Sequence, residues 1–169
     1  MTKSLITFSV MFVMLVIVQA LLLNHIVLFN SAVCFLFIYF LIKLPLNLST
    51  NWLLTLGFLL GLSVDILSDT QGLNALCCTI LASLKRPVFY AYIQHDDHVR
   101  DIEPSIANMG WLNFMKYLLT MSAIYSLTVI PLEYLSFGSP LEILIKVASS
   151  SAFTFLIILA TDSLFYKQQ

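Results

Sequence analysis

Apolar residues run along this chain in blocks that are long and nearly unbroken. Residues 5–23 contain only Thr7, Ser9 and Gln19 as polar members, and after Asn24-His25 the apolar run resumes over residues 26–42. Further blocks cover residues 51–68, 72–86, 111–134 and 140–165. A helix crossing a bilayer needs about 20 predominantly apolar residues. The pattern therefore predicts six spanning helices joined by short polar turns and by one longer loop, residues 87–110.

The boundaries carry their own signals. Lys43 with Pro45 behind it closes the second block at a membrane surface, because proline has no N–H to donate. Ser49, Thr50 and Asn51 are all good caps for the third helix, and Trp52 suits an interfacial anchor. Asp69-Thr70-Gln71-Gly72 is turn chemistry, in a connection short enough to be a hairpin between antiparallel helices. Lys85, Arg86 and Pro87 leave two readings of the fourth block: a kinked helix with two snorkelling cations, or a helix end followed by an interfacial Val88–Ile93 segment. The second is preferred. Ser136-Phe137-Gly138 reads as a turn, and Ser139, Pro140 and Glu142 as the cap and first turn of the last helix. Lys146 can pair with Glu142, and Ala148 to Ala152 form a small-residue patch suited to packing.

Composition sharpens this into an all-α membrane protein. Of 169 residues, 60% are hydrophobic and 10% charged, with a mean hydropathy of +0.95. Soluble domains hold about half and about a quarter respectively. The first run is longer than the apolar core of a signal peptide and lacks an A-x-A-like site, so an uncleaved helix is expected. With the N-terminus inside, Lys3, Lys43, Lys85, Arg86, Arg100 and Lys167 fall on the cytoplasmic side, and Lys116 can snorkel there. That is the split expected of a multi-pass inner-membrane protein with both termini cytoplasmic. A net charge of −1 with no basic cluster excludes a nucleic-acid surface. Cys34, Cys77 and Cys78 sit in apolar runs without redox or zinc spacing and read as packing residues.

Candidate chemistry is sparse. Gly57, Gly61 and Asp65 share one face of the third helix. Bare glycine faces let helices approach closely, and a carboxylate at membrane depth costs from about 2.5 kcal/mol upward unless it finds a partner, a cavity or the interface. The face is expected to point at protein; the alternative places Asp65 in the wet interface. The loop His95-Asp96-Asp97-His98, with Arg100, Asp101 and Glu103, has ligand-type residues but no established metal spacing; a mixed-sign run of this kind is usually a solvated connection, and a docking patch for a cytoplasmic partner is a better alternative than a metal site. Intramembrane acid–base chemistry needs at least two cooperating groups, and Asp65 stands apart from Glu133 and Asp162. No enzyme activity, metal or cofactor is expected, and too few polar side chains line a path for transport.

Gly61-Leu62-x-x-Asp65, with Gly72 and then Ala75-Leu76, resembles the signature region of the bacterial rod shape-determining MreD family. The size, helix number and motif position are similar as well. Ser68-Asp69-Thr70-Gln71 departs from the more apolar spacing of that family. The resemblance implies a non-enzymatic membrane subunit of the cell-elongation machinery that binds an MreC-like single-span protein. It would work beside a glycosyltransferase, a penicillin-binding transpeptidase and an MreB-like filament. Gly61, Leu62, Asp65, Gly72, Ala75 and Leu76 carry over from the resemblance; with Gly57 from the shared helix face, Gly61, Leu62, Asp65 and Gly72 are the expected residues of helix packing or partner binding. The family's fold is similar to that of the substrate-capturing S subunits of energy-coupling-factor transporters, which supplies an alternative function, vitamin or small-molecule capture. The first helix, almost free of alanine and glycine, lacks the small-residue docking face usual in those subunits.

Overall fold

An extended piece of backbone enclosed by helices organises the fold. The computed structural model describes residues 2–21, 27–28, 32–93, 104–133 and 140–166. Helix α1 (Thr2–Leu21) is followed by two antiparallel two-residue strands, β1 (Val27–Leu28) and β2 (Ala32–Val33), and by a short helix, α2 (Ile38–Lys43). Then come α3 (Thr50–Ser68), α4 (Leu73–Tyr92), the short α5 (Ile106–Met109), α6 (Trp111–Glu133) and α7 (Pro140–Tyr166). α3 packs on α4, α4 on α6 and α6 on α7, with α1 against α3. The stretch from β2 through α2 lies among α1, α4, α6 and α7, and every residue from Cys34 to Ile42 is buried.

The chain is thus predominantly helical, as the apolar blocks predict. Thr50–Ser68, Trp111–Glu133 and Pro140–Ser163 are long and apolar enough to cross a membrane. The expected second helix, residues 26–42, is a correction: among its described residues, 27–28 and 32–33 are strands and only the stretch from Ile38 onward is helical. A mostly apolar run, here broken only by Asn30-Ser31, says that a segment is buried, not which backbone it adopts. Non-helical backbone is tolerated in such surroundings only where other groups complete its hydrogen bonds. Gln19 on α1 does so twice, donating from Nε2 to the Cys34 carbonyl at 2.8 Å and accepting from the Leu36 N–H at 3.0 Å. On α7, Ser150 accepts from the Val33 N–H at 3.0 Å and Thr154 from the Phe35 N–H at 3.1 Å. The polar interruption of the first block and one serine of the 148–152 patch are therefore ligands for extended backbone.

A second correction concerns α4, which does not stop at Arg86 but passes through Pro87 to Tyr92. Proline costs the helix one internal hydrogen bond. Two cross-links to α6 hold the final turns: the Phe89 ring meets Tyr117 edge-on at 5.7 Å, and the Tyr92 and Thr120 hydroxyls are 2.7 Å apart. The cations tie this helix to the loop before α3. Lys85 donates to the Leu44 carbonyl, while Arg86 donates to Leu48, to Leu46 at 3.2 Å and to the Thr50 hydroxyl at 2.9 Å. The polar loop from His95 to Glu103, the turns at Asn24-His25 and Ser136-Phe137-Gly138, the Ser139 cap and Lys167 lie outside the described residues.

Thr154→Val and Gln19→Leu are expected to lower stability by about 1–3 kcal/mol each, the cost of stranding buried backbone groups. Thr55→Val removes only an exposed hydroxyl that bonds within its own helix and is expected to change stability by under about 0.5 kcal/mol. Thermal unfolding of the purified protein followed by circular dichroism checks the contrast; equal midpoints for Thr154→Val and Thr55→Val would contradict it.

Candidate functional site

The site begins with a helix start and ends with a helix start. Ser49 caps α3, its hydroxyl accepting from the Trp52 N–H at 3.5 Å. From there the 3.6-residue period places Gly57, Gly61 and Asp65 in one row, all buried, on the face turned toward α4. A Cβ at Gly57 would stand 3.0 Å from the Ala82 Cβ and the Cys78 carbonyl oxygen. At Gly61 it would lie 2.5 Å from the backbone N and Cα of Ala75, a distance no side chain can occupy. Gly61 is thus where α3 and the first turn of α4 touch through their backbones.

The reversal between these helices uses left-handed backbone twice, at Asp69 (φ 53°) and Gly72 (φ 79°). Gly72 occupies the N-cap position of α4 and has no side chain to satisfy the first-turn N–H groups. Asp65, one turn before the end of α3, supplies what the glycine lacks. Its Oδ1 accepts from the Asn74 N–H at 3.1 Å and its Oδ2 from the Ala75 N–H at 2.8 Å. A carboxylate there also meets the positive end of the α4 dipole. Oδ1 further accepts from the Thr70 hydroxyl and from Asn74 Nδ2 at 2.9 Å. Asn74 passes the network on to α6, its Oδ1 accepting from the buried Tyr125 hydroxyl at 2.6 Å. Asp65 is 3% exposed, so these donors stand in for the water it has lost.

A second buried carboxylate lies near the far end of the molecule. Asp162 on α7 accepts from the Tyr39 hydroxyl at 2.8 Å and pairs with Lys43 at 2.6 Å. The Lys43 ammonium also stands 5.7 Å from the Tyr39 ring centre and 5.9 Å from that of Phe114. Sequence spacing gave no sign of this pairing, since its members are more than a hundred positions apart and Lys43 reads as a surface terminator. Lys43, Lys85 and Arg86 cluster at the end where α3 begins; Thr50 and Asp65 are about 22 Å apart along that helix.

Of the residues expected at the site, Gly57, Gly61, Asp65 and Gly72 form one joint between α3 and α4, whereas Leu62 is half-buried on α3 and Leu76 half-exposed on α4. Thr70, Asn74 and Tyr125 are the members that sequence reasoning missed. The order Asp65, Thr70, Asn74 could have suggested a capping network, but nothing in the sequence points to Tyr125. The four donors to Asp65 come from this chain, an arrangement suited to fastening helices together. Among the described residues no group of three or more His, Cys, Asp and Glu side chains is placed to hold a metal. No family model, curated protein or solved structure matches the chain.

Gly61→Ala is expected to destabilise the protein by about 1–3 kcal/mol, because the new methyl group meets backbone and not a movable side chain. Gly57→Ala is expected to fall within about 1 kcal/mol of the parent, its 3.0 Å contacts opposed by the gain in helix propensity. Unfolding midpoints of the two variants check the order, and a Gly57→Ala loss exceeding that of Gly61→Ala would contradict it.

Proposed function

We propose that this protein is a non-enzymatic, multi-pass subunit of a bacterial cell-elongation complex in the inner membrane, of the MreD kind. It holds an MreC-like single-span protein beside a glycosyltransferase, a penicillin-binding transpeptidase and an MreB-like filament. The observation that carries this reading is the joint. Of the six residues on which the resemblance rests, Gly61, Asp65, Gly72 and Ala75 lie at the joint of α3 with α4, while Leu62 and Leu76 lie outside it. Such a joint gives a scaffold a helix pair of defined shape. The outer side of that pair keeps Phe58, Leu59, Ile66, Leu67 and Leu76 exposed, an apolar surface suited to lipid or to a partner helix.

Charge placement supports the membrane orientation. Lys43, Lys85, Arg86 and Lys116 gather where α2 and α4 finish and α6 starts, and Lys146 belongs to the opposite end. By the positive-inside rule the cationic end is the cytoplasmic one. Together with three helices of spanning length, this favours an integral protein with its described polar joint toward the outer leaflet.

Co-purification from bacterial membranes tests the role. The parent protein is expected to capture a single-span MreC-like protein, and Asp65→Ala to weaken capture about tenfold, equivalent to ~1.4 kcal/mol, while the exposed Thr55→Ala leaves it unchanged. Capture and rod morphology unaffected by Asp65→Ala would contradict the proposal.

A further inference from the structure

A groove of about 590 Å³ opens between α1, the end of α2 and the first half of α3. Its walls include Phe12, Phe40, Leu44, Leu48, Leu56 and Leu59, and the Phe12 and Phe40 rings pack edge to face at 5.3 Å. Along α3 the groove descends from Leu48, just before the helix, to Leu59 within its third turn. Ser49, Thr50, Asn51 and Trp52, all exposed, mark the upper end with the polar and amphipathic residues found at headgroup level.

Arg86 is fastened at that same level, since one of its bonds is to the carbonyl of the groove residue Leu48. Its three acceptors, the Leu46 and Leu48 carbonyls and the Thr50 hydroxyl, are all neutral. Nε–H and one Nη1–H remain without a partner among the described residues, and no carboxylate there offsets the charge. Lys43, by contrast, is matched by Asp162. An apolar slot thus adjoins, through the backbone of its lining residue Leu48, an anchored cation that still has two donors to offer.

We propose that this groove takes one acyl chain of an anionic glycerophospholipid whose phosphate is held by Arg86. The inference rests on the membrane placement argued above and not on the scaffolding role. The slot is lined almost wholly by apolar side chains. An unbranched chain fits, and a phosphate is the partner that a guanidinium fork recognises with paired hydrogen bonds.

The test is native mass spectrometry of the purified full chain with phosphatidylglycerol or phosphatidylcholine of identical acyl chains. The parent protein is expected to retain the anionic lipid about fivefold better, the preference one basic residue near a surface supplies. Arg86→Gln is expected to abolish the preference. Leu56→Trp, which fills the slot and leaves Arg86 in place, is expected to cut retained phosphatidylglycerol at least about fivefold. Equal retention of the two lipids by the parent overturns the proposal, as does undiminished retention by Leu56→Trp, and neither result depends on Arg86→Gln folding. A photo-crosslinker at position 59 that captures protein and no lipid in whole membranes overturns it too. Partner capture is read separately, so lipid preference lost with capture intact removes only the lipid site.

Discussion

In an apolar interior, a backbone N–H or carbonyl that leaves its helix must find a partner within the chain, and so must every charge. This constraint explains most of what is polar here. The first turn of α4 is the sharpest instance, because the residue that must be glycine to make the turn has no side chain with which to cap the helix it starts. Asp65 answers from the preceding helix, and the same carboxylate then fixes Thr70 and Asn74, and through Asn74 the Tyr125 hydroxyl on α6. One carboxyl group therefore joins three helices, and its burial is offset by the donors it collects.

The enclosed segment before α2 obeys the same rule with neutral groups. Gln19, Ser150 and Thr154 take the backbone groups of residues 33–36, so that an extended stretch can lie inside a helical bundle. Asp162, Lys43 and Tyr39 close the α2 side of that bundle. Loss of the Lys43 charge would leave the buried Asp162 without its ion-pair partner, which commonly costs several kcal/mol. The two carboxylates thereby hold opposite ends, and the apolar faces of α3 and α7 are left outward for lipid or for another chain.

Period and composition were enough to read the long helices, the α3–α4 hairpin and the glycine–aspartate row, because each is a local pattern of spacing. Three things were not legible. Residues 26–42 are apolar except at Asn30-Ser31, and a mostly apolar run is shared by a buried helix and a buried extended segment; the distant Gln19, Ser150 and Thr154 complete the extended one. Lys85-Arg86-Pro87 resembles a helix end until the loop carbonyls of Leu44, Leu46 and Leu48 are seen to receive the two cations. Asn74 and Tyr125 joined the site through tertiary contact, where sequence distance carries no information. Asp65 itself was legible as a carboxylate in need of partners, though not as the cap of the following helix.

The most direct measurement is amide hydrogen exchange at Asn74 and Ala75, whose N–H groups the Asp65 carboxylate accepts. If that carboxylate is the cap of α4, both amides exchange as slowly in the parent protein as those of mid-helix residues such as Leu81, and Asp65→Ala speeds exchange in the first turn of α4 while α6 and α7 keep their protection. Fast exchange at both amides in the parent, or rates the same in the two proteins, would contradict the account.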